Sequence, residues 1–69
     1  MNDDTFNMEI RTYLKKVGIS SQREIEHAVL KAIEEGSLNG AEKFEIRMTL
    51  SVPALAIDHE IIGQIALGD

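Results

Sequence analysis

Few side chains in this chain of 69 residues are of types that do chemistry, and what matters is whether any of them converge. Asp58, His59 and Glu60 stand in a row, an acid, an imidazole and an acid that together could hold a metal or move a proton. In a strand, neighbouring side chains point to opposite faces, so His59 diverges from both carboxylates. Only a turn or a helix start would bring the three together. The usual spacings of paired metal ligands are missing, so no metal site is assigned. His27 falls opposite Ile25 and Val29 on a helix and reads as a solvent-facing side chain. Ser20, Ser21, Ser37 and Ser51 have local roles as caps, linker or strand-surface residues. No Gly-x-Ser-x-Gly elbow and no glycine-rich phosphate loop occurs. Glu24, Glu26, Glu34 and Glu35 read as solvated helix faces. No catalytic or cofactor-binding residue is assigned, no cofactor is expected, and the chain is not expected to be an enzyme.

One cluster has a ligand reading. Arg11, Lys15, Lys16 and Arg23 gather where one helix is expected to end and another to begin. A helix start offers free amides that attract anions. Lys15, Lys16, Ser21 and Arg23 are therefore the candidate anion-binding residues, for a phosphate or carboxylate group. The plainer reading is cations complementing the dipole at a helix C-terminus, with Arg23 solvated.

The elements that position these residues follow from apolar spacing. Phe6, Ile10, Tyr13, Leu14 and Val17 form one face of a helix over about 4–17, capped by one of Asn2, Asp3, Asp4 or Thr5 and stopped at Gly18. Ser21 and Glu24 make a capping-box pattern that opens a second helix over about 22–35, with Ile25, Ala28, Val29, Ala32 and Ile33 on its apolar face and Gly36 at its end. Asn39-Gly40 predicts a tight turn with positive φ. Phe44, Ile46, Met48, Leu50 and Val52 then alternate with polar residues, which predicts a half-buried strand over about 44–52. Pro53 belongs to a turn or an edge. The segment 57–67 keeps the period of two. A helix from Asp58 to Leu67 is the alternative, disfavoured by Ile61, Ile62, Ile65 and an interior Gly63. A hairpin turning near Pro53 to Ala56 places both inner stripes on one face.

Composition narrows the function classes. The hydrophobic fraction of 43% fits a globular chain, and a single domain over 1–69 is expected. A core this small supplies no more than about 3–5 kcal/mol, and small domains usually add disulfides, a metal or an oligomeric partner. There is no cysteine, which removes disulfides and fits a reducing cytosol. The net charge of −5 disfavours nucleic acid and anionic membrane surfaces as partners. A helix-turn-helix reading fails for the same reason, since Glu24, Glu26, Glu34 and Glu35 would face phosphates. No stretch approaches a membrane span, and the N-terminus lacks the apolar run of a signal peptide.

The opening MNDDTFNMEIRTYLKKVGISSQREIEHAV resembles a family of short, uncharacterised bacterial proteins classed as a domain of unknown function. Met1-Asn2, Phe6-Asn7, Ile10-Arg11, Leu14-Lys15, Val17-Gly18 and Ser21 through Glu26 carry the resemblance, which extends over nearly the whole chain. It implies a bacterial, cytosolic protein and transfers no activity.

The expected architecture is α+β, two N-terminal helices packed on a C-terminal antiparallel β-hairpin. Its expected core is Phe6, Ile10, Leu14, Val17, Ile25, Val29, Ile33, Ile46, Met48, Leu50, Ile61 and Ile65. The expected role is a small non-enzymatic interaction module that self-associates as a homodimer or binds another protein. Ile62, apolar on the polar face of the second strand, is the candidate dimer contact. A small-anion or metabolite sensor at the helix junction is the alternative.

Overall fold

The computed structural model describes residues 1–68, in two compact units, Met1–Ser37 and Leu38–Asp69. Asp69, the last residue of the expected domain, lies outside the described residues. The element order is α1 (Asp3–Glu34), β1 (Lys43–Val52), a single 3-10 turn (Pro53–Leu55) and β2 (Ile57–Ala66).

The first unit corrects the two-helix expectation. α1 is one uninterrupted helix of 32 residues, about 48 Å long at 1.5 Å per residue. Asn2 caps it: its Oδ1 accepts from the Thr5 amide at 3.1 Å, and its carbonyl accepts from the Phe6 amide. Asp3 and Asp4 sit in the first turn, beside the positive end of the dipole. The helix passes through Gly18 without a break. A glycine inside a helix costs about 1 kcal/mol relative to alanine, less than opening the backbone bonds of a whole turn. Ser21 and Glu24 sit inside the helix, where the capping-box spacing is simply one turn. Close by, Gln22 Nε2 donates to Glu26 Oε1 at 2.7 Å. The true stop is Gly36, with φ 79°. Its amide donates to Ile33 O and the Ser37 amide to Ala32 O, closing the left-handed cap that glycine favours.

With the break removed, one apolar stripe runs the length of α1. Phe6, Ile10, Leu14, Val17, Ser21, Ile25, Ala28 and Ala32 follow steps of four, four and three, a repeat of eleven residues. That period nearly matches a straight helix, so the stripe stays on one side. Met8, Ile19 and Leu30 recur at the same interval on the opposite side, and all three are exposed.

The second unit matches the strand expectation closely. β1 and β2 pair antiparallel in one unbroken register, from Lys43 opposite Ala66 to Val52 opposite Ile57. One face carries Phe44, Ile46, Met48, Leu50 and Val52 opposite Ile65, Gly63, Ile61, His59 and Ile57. The connection uses Pro53 to start the 3-10 turn and Ala56, at φ 54°, to reverse the chain, with the Ala56 amide donating to Pro53 O. Residues 58–66 are strand, not helix.

Neither unit, taken by itself, fully buries any of its described residues. The expected core positions are half-buried or exposed, among them Val17, Ile25, Phe44 and Ile65 in the first class and Ile61, at 56% exposure, in the second.

Candidate functional site

The basic residues lie along one side of a continuous helix. Lys15, Lys16 and Arg23 line an open depression with Thr12, Ile19 and Ser20. Ser21 is not among its lining residues. No helix begins here, so the backbone amides of Ser21 to Arg23 are used inside α1, and the junction that was to supply anion donors does not form. What remains is a row of solvated cations on an exposed helix face.

The acid-imidazole-acid row diverges as a strand requires. His59 stands opposite Leu50 on the apolar face, whereas Asp58 and Glu60 stand opposite Ser51 and Thr49 on the other. Among the described residues, no group of three histidine or acidic side chains is placed to hold a metal ion. His27 is exposed on α1.

The hairpin's edges are the more informative surface. The Leu67 amide donates to Glu42 O at 2.9 Å, extending the ladder one step beyond Lys43 and Ala66. In an antiparallel pair, every second residue pair exchanges both bonds. The inward-bonded pairs therefore continue from Glu42 and Leu67 to Phe44 and Ile65, and on to Val52 and Ile57. The residues between them turn amide and carbonyl outward. On β1 these are Lys43, Glu45, Arg47, Thr49 and Ser51; on β2 they are Asp58, Glu60, Ile62, Gln64 and Ala66. Arg47 lies within 3.7 Å of Glu45 and 3.8 Å of Glu60, both exposed pairs of small energetic weight. Ile62 stands opposite Arg47 on this polar face and is 55% exposed.

Two features escaped the sequence reading. The stripe of Met8, Ile19 and Leu30 was visible as an interval of eleven, but the presumed break at Gly18 split it. The other is a clamp in the loop entering β1. Glu42 accepts from the Asn39 amide at 3.1 Å and the Gly40 amide at 3.1 Å, while Asn39 Oδ1 accepts from the Ala41 amide at 2.9 Å. The Asn39 amide, followed by Glu42's own amide and those of Gly40 and Ala41, holds the Glu42 carboxyl below its usual range against a smaller opposing effect of desolvation. Asn39-Gly40 gave the turn, with Gly40 at φ 94°, but not the carboxylate that locks it.

With the helix and the hairpin described, a single family profile spans residues 1–68. The chain belongs to DUF6494, a family of unknown function. No curated protein and no solved structure matches it. Among the described residues, no helix is long and apolar enough to cross a membrane.

Proposed function

We propose that this DUF6494 protein is a small non-enzymatic interaction module whose first partner is another copy of itself, working in the bacterial cytosol. The observation that carries this reading is that neither unit, taken by itself, buries any of its described residues, so both leave apolar side chains in need of cover. The exposed apolar side chains of each unit have the chemistry of an interface. The hairpin shows a continuous apolar face, and α1 shows apolar residues on two opposing sides, including Leu30 at 59% exposure. A helix apolar on two sides needs two neighbours. The absence of cysteine supports a reducing compartment.

Sedimentation equilibrium at micromolar concentration tests the proposal. The expected mass is twice the chain mass or a higher even multiple. A monomer that keeps a cooperative unfolding transition at the same concentration overturns it.

A further inference from the structure

The two edges of the hairpin are not equivalent when each is set against its own copy. Two identical antiparallel strands pair across a twofold axis, so the residue on the axis meets itself. For the outer edge of β1, full overlap of the outward residues puts Arg47 on the axis. Arg47 would face the partner's Arg47, and like charges directly opposite one another in a sheet are destabilising. For the outer edge of β2, full overlap puts Ile62 on the axis. Ile62 meets the partner's Ile62, Glu60 meets the partner's Gln64, and Asp58 meets the partner's Ala66. No like charges are opposed. The Gln64 amide is a donor that suits the partner's Glu60 carboxylate.

The two edges also differ in how they are guarded. Lys43, Glu45 and Arg47 stud β1, and charged side chains are a usual means of keeping an edge unpaired. β2 carries two charges, Asp58 and Glu60, both to one side of its centre, and at the centre an exposed isoleucine that faces only Arg47 across the hairpin. Its outward amides and carbonyls form an unbroken row with no proline and no bulge.

We infer that a second copy of this chain adds antiparallel to the outer edge of β2, about a twofold axis at Ile62, to make a four-stranded sheet in the order β1-β2-β2-β1. This rests on the self-association proposed above and goes further by assigning the edge and the register. On the apolar face, Ile61 then stands beside the partner's Gly63, and the two hairpin faces become one floor. On the other face, the paired Ile62 side chains cover each other.

The chain has no cysteine, so a single introduced one reports on its own position. Directly opposed residues of a bonded antiparallel pair have Cα atoms about 5.5 Å apart, within reach of a disulfide. Ile62→Cys and Arg47→Cys are to be oxidised mildly in the full chain, and the disulfide-linked dimer measured on non-reducing gels. Ile62→Cys is expected to cross-link at least tenfold more than Arg47→Cys. Amide exchange on the unaltered protein gives a second reading: the amides of Glu60, Ile62 and Gln64 are expected to be protected, and those of Glu45, Arg47 and Thr49 to exchange freely. Equal cross-linking at both positions overturns the edge assignment. So does a wild-type dimer that neither cross-links at Ile62→Cys nor protects the β2 amides, and in that case self-association stands. A wild-type monomer removes both.

Discussion

Along α1, every interior amide is bonded inside the helix, whereas each strand of the hairpin bonds only alternate residues inside its own unit. The helix therefore asks its surroundings for apolar contact alone. The hairpin asks for apolar contact on one face and hydrogen-bond partners along its edges. Any surface can satisfy the first demand roughly in proportion to the area it covers. Water can satisfy the second at an open edge, but where water is excluded only another extended backbone in register does so along the whole row. The hairpin is thus the unit that can specify a partner's geometry, and the helix is the unit that contributes area.

The sharpest way to break this comparison is to place a charge on either face of the hairpin. Met48→Lys puts an ammonium among Ile46, Leu50 and Ile61 on the apolar face, which the proposed self-association would cover. It is expected to cost about 3 kcal/mol and to abolish self-association. Thr49→Lys, one residue along, faces Glu60 across the strands and is expected to change stability by no more than about 0.5 kcal/mol. Urea unfolding of both variants checks this. Similar losses at the two positions would show that the faces are not distinct.

The helix is probed through its glycines, which differ in backbone conformation. A Cβ at Gly18 meets nothing within 4 Å, and Gly18 lies within continuous helix. Gly18→Ala is expected to stabilise the protein by about 1 kcal/mol, raising Tm by about 4–8 °C. Gly36 sits at φ 79°, where a side chain is strained, so Gly36→Ala is expected to cost about 1 kcal/mol. A destabilising Gly18→Ala would mean that a helix ends there after all.

That pair of glycines also explains how far each unit was legible from sequence. In the hairpin, each marker has one structural meaning. Strict alternation means a strand, Pro53 excludes a ladder position, and Asn39-Gly40 supplies a positive φ; all agree on one register. In α1, the cues at the presumed break were weak and two-sided. A glycine costs about 1 kcal/mol in a helix interior but does not end it. Lys15 and Lys16 suit a C-terminal turn but also any exposed helix face, and Ser21 with Glu24 fits a capping box or one ordinary turn. No proline forced a stop, so continuity of the backbone bonds won. The free amides expected at the anion-binding residues went with the break, because they depended on a helix start. Ile62 needed only the period of two, so its place on the polar face was readable. The Glu42 clamp was not, because it depends on a loop closure that no local pattern announces.

A smaller effect separates the cap from the interior of α1. Asn2 Oδ1 is the side-chain acceptor at the helix start, taking the Thr5 amide. Asn2→Ala is expected to cost about 1 kcal/mol, and Asn2→Asp or Asn2→Ser close to nothing, by thermal unfolding. If alanine is also neutral, the first turn frays regardless of the cap, and α1 gains its stability further along.

The smallest effect lies in the loop that enters the hairpin. The Glu42 carboxylate accepts from the Asn39 and Gly40 amides, and these bonds hold its pKa below the ordinary glutamate range. The folded form then binds fewer protons than the unfolded form as pH falls through that range. The clamp's contribution is therefore complete above the ordinary glutamate pKa and is lost progressively as pH drops through the lowered value. Glu42 is accessible enough that solvent screens the effect, so it should be read locally rather than from global unfolding. The Asn39 and Gly40 amide shifts are expected to titrate together, with a midpoint below that of a free glutamate. In Glu42→Gln the acid-range step should vanish while the turn persists, because the side-chain carbonyl still accepts and Gly40 still provides its φ of 94°. A midpoint at the ordinary value would mean that the carboxylate merely hovers near the loop, and that the hairpin's entry is fixed by Asn39-Gly40 alone.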